Sequence, residues 1–166
     1  MTRIIIFLSL FFLFSCSYDH SDYYNNVLLF KELTLEINTY FSDLDRRELR
    51  ISPYYTNDFV FHSYSAGTKK GVKTYKIEYL NNLELMKSKG IFLSIGHSIY
   101  LPGIDQHTFE FDGSVRVYYG ASLQLDSTVV DFSGYQTINF KNGKIEEIWE
   151  WADYGGVANK LIEITD

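Results

Sequence analysis

A single cysteine, Cys16, occurs in the 166 residues, so no disulfide can form within the chain. Only two prolines are present, which leaves long stretches free for regular structure. The longest apolar stretch, Ile4 to Phe14, is too short to span a membrane, which takes about 20 residues. Basic residues are the minority, 15 against 21 acidic, for a net charge of −6. No basic stripe of the kind a nucleic-acid binder needs is visible, so nucleic acid is excluded as a partner. There is no close His/Cys cluster or paired-His motif, and no metal site is expected. A phosphate-cradling Gly-rich loop, a dinucleotide fingerprint and a nucleophile elbow are also missing, and no cofactor is implied. Aromatic residues are plentiful: 14 Tyr, 13 Phe and 2 Trp favour a β-rich domain with aromatic packing.

The chain starts with a basic residue, Arg3, then the short apolar stretch, then Leu13-Phe14-Ser15-Cys16. This anatomy is that of a secretory signal. Its end resembles a bacterial lipoprotein signal, and that resemblance implies cleavage before Cys16, a lipid on its sulfur, and a place on a membrane of the bacterial cell envelope. The alternatives are an ordinary signal peptide with an incidental Cys16, or an uncleaved anchor. Cleavage would leave 14 basic and 21 acidic side chains, a charge of −7. Residues 1–15 are thus expected as signal peptide, 16–26 as lipidated Cys and polar tether, and 27–166 as one domain.

From Val27 to Leu44, apolar residues at Leu29, Leu33, Ile37, Tyr40, Phe41 and Leu44 predict a helix with one buried face. A strand is expected over Asp58–Tyr64, then a turn at Gly67–Gly71. A second helix is expected from Val72, with Tyr75, Tyr79, Leu80, Leu83 and Met86 in its stripe and Gly90 at its end. The period then becomes two. Ile91, Leu93, Ile95, His97, Ile99 and Leu101 are expected on one face of a strand that Pro102-Gly103 ends. Val115, Val117, Tyr119, Ala121 and Leu123 share a face of the next strand. A turn at Asp126-Ser127 leads to a third strand, and Asn142-Gly143 is the preferred dipeptide for a two-residue hairpin. Even pairing from that turn sets Gln136 against Trp149 and Gly134, whose missing side chain makes room for an indole, against Trp151. Trp149, Trp151 and Asp153 then share the core-facing side. Ile148 and Glu150 go to the other side, with Tyr135, Thr137 and Asn139. A short last helix over 157–164 is expected. The element order gives an α+β architecture, a curved antiparallel sheet packed on N-terminal helices as a cone-shaped α+β barrel with one open end.

Gly143-Lys144-Ile145, Trp149, Trp151 and Asp153, with Asp58-Phe59-Val60-Phe61 earlier, resemble the nuclear transport factor 2-like superfamily, especially its SnoaL-like polyketide cyclase branch. The resemblance spans roughly Val27 to Leu161. It implies the cone fold, an interior site, and a range of activities from ketosteroid isomerases, dehydratases and epoxide hydrolases to non-catalytic binding modules. It also implies that a homodimer can form through the outer face of the sheet.

That resemblance implies Asp153 as acid/base, a carboxyl that a dry cone would tune toward proton transfer. The alternative for Asp153 is a cap or an ion pair at the sheet edge. His97 interrupts an apolar face and is expected to orient or relay protons for Asp153, or else to be a satisfied core histidine. Trp149 and Trp151 supply an apolar wall, and Tyr119 lies on an inward face. Asp58 and His62, four apart on one strand, either line the mouth of the cone or lie on a solvated face. Two functions follow. One is a binding module for a small apolar or aromatic ligand or an envelope protein. The other is a cofactor-independent cyclase, isomerase or dehydratase.

Overall fold

A computed structural model describes residues 21–64, 70–153 and 155–157. The expected signal, Cys16, the turn residues 67–69 and all but the first residue of the expected last helix lie outside these residues. Helix α1 (Ser21–Ser42) is followed by a 3-10 turn (Ser52–Tyr54), strand β1 (Tyr55–Tyr64), strand β2 (Val72–Tyr75), helix α2 (Lys76–Ser88), and strands β3 (Ile91–Ile104), β4 (Phe111–Leu125), β5 (Thr128–Lys141) and β6 (Lys144–Ala152). The six strands form one open sheet in the order β2-β1-β6-β5-β4-β3. Only the β1–β6 pair is parallel. Both helices pack on one face of this curved sheet, α1 across β3 and β4, α2 across β1 and β3. This is the expected α+β cone.

Helix α1 buries Val27, Phe30, Leu33, Ile37, Tyr40 and Phe41, a stripe at helical spacing. Two details correct the expectation. The helix is already formed at Ser21, ahead of Val27: Tyr23 packs on the core and Asn26 Nδ2 donates to the Gly113 carbonyl at 2.9 Å, tying these turns down. Leu44 lies past the helix end and is 70% exposed. That end is closed from elsewhere. Lys87 Nζ, from α2, donates to the carbonyls of Tyr40, Asp43 and Arg46, the role a cation has at the negative end of a helix.

Val72 does not begin the second helix. Val72-Lys73-Thr74-Tyr75, three of its four residues good strand formers, pairs antiparallel with β1 from Val60↔Tyr75 to Ser63↔Val72. Tyr79, Leu80, Leu83 and Met86 then pack inward from α2, as their spacing predicts. Strand β3 runs on through Pro102, which the sheet tolerates because β3 is an edge strand.

Both hairpin turns form as expected. Asn142 and Gly143 have φ of 53° and 68°, the pair of positive values a type I′ turn requires.

Candidate functional site

The site is built by a one-residue slip in β6. Phe140 pairs with Ile145 as expected, but Asn139 pairs with Glu147, leaving Glu146 as an extra residue. This β-bulge reverses the facing of everything beyond it. Ile138 meets Ile148, Thr137 meets Trp149, Gln136 meets Glu150, and Tyr135 meets Trp151. Ile145 and Ile148 are thereby both buried in the core. Glu150 goes inward with Ile148, and the two tryptophans go outward, the reverse of the expected arrangement.

A second bulge acts on the edge strand. Ile95 pairs with Ala121 and Ser98 with Tyr119, so Gly96 and His97 together face the single residue Gly120. Ser98 and Tyr100 continue the inner face in place of His97 and Ile99. The amide side chain of Asn38, on α1, clamps the bend by donating to the Ile95 carbonyl and accepting from the Ile95 N–H, both at 2.8 Å. It thus satisfies two backbone groups on the open edge of the sheet.

Between the helices and the inner face lies a cavity of about 470 Å³, in the range of small-molecule sites. Its wall is mostly apolar, with Phe30, Phe61 and Phe132 among the rings and Met86 and Leu83 from α2. Among the described residues its one carboxyl is Glu150, 7% exposed. The Tyr119 hydroxyl donates to Glu150 Oε1 at 2.7 Å, and Gln136 Nε2 donates to the same oxygen at 2.5 Å. Burial pushes the Glu150 carboxyl above the usual glutamate range, against the opposing pull of these two hydrogen bonds. Burial, then the nearby Glu150 charge, raises the hydroxyls of Tyr119 and Tyr79 as well, so both stay protonated donors. Gly134 faces Tyr119 across the β4–β5 pair, and a Cβ there would lie 2.4 Å from the Tyr119 hydroxyl oxygen. The glycine makes room for this phenol, not for an indole. A buried carboxyl beside protonated hydroxyls can hold a polar group of an occupant or exchange a proton with it.

Solved structures share this architecture. A candidate polyketide cyclase from Xanthomonas campestris pv. campestris superposes with a TM-score of 0.61 at 11% identity, covering 84% of this chain and 98% of that one. A nuclear transport factor 2-like protein from Burkholderia xenovorans gives 0.57 at 14% identity, covering 82% and 95%. An LEH-like epoxide hydrolase of M. tuberculosis gives 0.54 at 13% identity, covering 86% and 96%. The chain has the nuclear transport factor 2-like fold. No protein-family profile matches the sequence, and no curated protein sequence does either.

In this nuclear transport factor 2-like cone, Tyr119 is the one residue expected at the site that lines the cavity. Asp153 does not; it is exposed at the end of β6, where its Oδ1 accepts the Gly156 N–H at 2.8 Å and its carbonyl accepts the Val157 N–H at 3.1 Å. It caps the turn that follows, the alternative expected for it. His97 is exposed on the outer face, turned there by the β3 bulge. Asp58 is exposed, its Oδ2 3.6 Å from Lys141 Nζ.

His62 is buried, but on the outer face, stacked on Trp149 with ring centroids 3.9 Å apart. Its Nε2 lies 3.5 Å from Glu147 Oε1, while Glu147 Oε2 accepts from Trp149 Nε1 and Asn139 Nδ2 at 3.3 Å. Trp151 stacks on Tyr64 at 4.8 Å and meets Tyr135 at 5.7 Å, and Tyr135 meets Tyr118 at 4.8 Å. His62, Tyr64, Trp149, Trp151, Tyr135 and Tyr118 therefore form an aromatic belt across the outside of the sheet, away from the cavity.

Even pairing from the hairpin hid Glu150. The signal for it was the spacing of Ile145 and Ile148. Two core-type side chains three apart in a strand cannot both face inward without a bulge.

Proposed function

We propose that this chain is a lipid-anchored protein of the bacterial cell envelope that binds a small apolar or aromatic molecule in its cone. The observation that carries the reading is the apolar cavity of about 470 Å³ with one buried carboxyl, Glu150, held by Tyr119 and Gln136. An enclosed, mostly apolar cavity with a few convergent polar groups is the usual form of a small-molecule site. The Leu13-Phe14-Ser15-Cys16 sequence supports the anchor. An envelope protein is the other partner we assign, and a second copy of this chain is its simplest form, met through the outer face of the sheet. Native mass spectrometry of the protein, released gently from its host membrane, tests the reading. A bound small molecule lost in Glu150→Gln is expected; a consistently empty cone would overturn it.

The raised Glu150 carboxyl beside the Tyr119 hydroxyl favours a second reading, a cofactor-independent isomerase, cyclase or dehydratase with Glu150 as acid/base. Deuterium exchange at the α-carbon of a panel of cyclic ketones tests it. Exchange by the wild type that persists unchanged in Glu150→Gln would remove Glu150 from any mechanism.

A further inference from the structure

We propose that the occupant of the cone is an organic cation, an amine or quaternary ammonium group carried on an apolar body. The inference rests on reading the cavity as a binding site and names the chemistry it selects. Among the described residues that line the cavity, Glu150 is the one Asp or Glu, and there is no Lys, Arg or His. Across the sheet its neighbours are Ser63 on β1 and Gln136 on β5, and the other polar groups near it are the hydroxyls of Tyr119 and Tyr79. The side chains that α1 brings to the cavity are Phe30, Leu33, Thr34 and Ile37. A buried carboxylate with no cation beside it lacks its countercharge, and an incoming cation supplies one.

The hydrogen-bond geometry agrees. Tyr119 and Gln136 both donate to Oε1, and no described residue donates to Oε2. One carboxylate oxygen is therefore fixed and the other is free for an ammonium N–H. Six aromatic rings, Phe30, Tyr55, Phe61, Tyr79, Tyr119 and Phe132, line the same space. Ring faces attract cations by about 0.5–2 kcal/mol each in dry surroundings. An anionic ligand, such as a fatty acid, meets a carboxylate and no basic partner, and is rejected. The net charge of −6 favours the approach of cations as well.

Three probes with one body and different heads separate the cases: 3-phenylpropan-1-amine, 3-phenylpropan-1-ol and 3-phenylpropanoate. Binding is measured near neutral pH by titration calorimetry on the lipidated chain in nanodiscs, with empty nanodiscs as the blank. The amine is expected to bind about tenfold or more tighter than the alcohol, and the carboxylate to bind weakest. Glu150→Gln should cut amine affinity about tenfold and leave the alcohol within about threefold. Glu150→Asp, which keeps the charge, should retain a preference for the amine. An alcohol that binds as well as the amine, in a wild type that binds both, overturns the cation and leaves the binding site standing. Amine affinity unchanged in a folded Glu150→Gln also overturns it. Failure of all three probes to bind overturns the cation and counts against the binding site itself.

Discussion

Folding takes up a proton at Glu150, because burial raises its carboxyl above the value it has in the unfolded chain. Between those two values the folded state holds a proton that the unfolded state has released. The Glu150 contribution to stability is therefore complete at pH below the unfolded value and is lost as pH rises through the folded one. Glu150→Gln keeps the shape and cannot ionise. Its melting temperature is expected to exceed that of the wild type by a margin that grows as pH rises across this window. Paired thermal melts from pH 4 to 9 check this, and parallel curves would mean that the carboxyl is not held at a cost. Gly134 answers to the same cluster. Gly134→Ala places a methyl against the Tyr119 hydroxyl and should displace the ring from Glu150. A loss of about 1–3 kcal/mol in urea unfolding is expected, the usual cost of overpacking.

Bulges decide which side chains meet inside the cone. Deleting Glu146 removes the extra residue and keeps every later pairing, Glu147 with Asn139 and Ile148 with Ile138, so Ile148 and Glu150 still face inward by plain alternation. Cooperative unfolding and the near-ultraviolet circular dichroism of the wild type are therefore expected to persist in the deletion variant. Glu146→Ser keeps the extra residue and should stay within about 0.5 kcal/mol of the wild type. A deletion variant that loses cooperative unfolding would show that the fold needs the bend made by the bulge and not only the facing beyond it. The same point explains what was legible beforehand. The stripes of α1 and α2, the alternation of β4 and the Asn142-Gly143 turn rest on local periods and on a dipeptide with one favoured geometry, and they could be read directly. The placement of Glu150, Trp149 and His97 rests on an odd count of residues between pairings. Each bulge satisfies a packing demand from a distant element: Ile145 and Ile148 must both reach the core, and Asn38 on α1 grips Ile95. Alternation cannot report such a demand, so the cavity was expected in the right place with the wrong carboxylate in it.

At the scale of the whole molecule the two faces of the sheet have different work. The inner face holds the cavity. The outer face exposes Ile99, Leu101, Tyr118 and Trp151, the last at 43% exposure, around the stacked belt. Large exposed apolar areas on a sheet mark contact surfaces. Arg116 and Glu147 stand on that same face, so it carries both signs of charge and can meet a copy of itself about a two-fold axis. A homodimer formed there would leave both cavities free, since they lie on the opposite side of each sheet. Trp151→Lys puts a charge into the belt at a side chain that does not line the cavity. In sedimentation velocity the wild type is expected as a dimer and the variant as a monomer at the same concentration. The variant should keep the probe affinities of the wild type, because binding and pairing use opposite faces. A wild type that sediments as a monomer at all concentrations would remove the second copy as the partner of the belt.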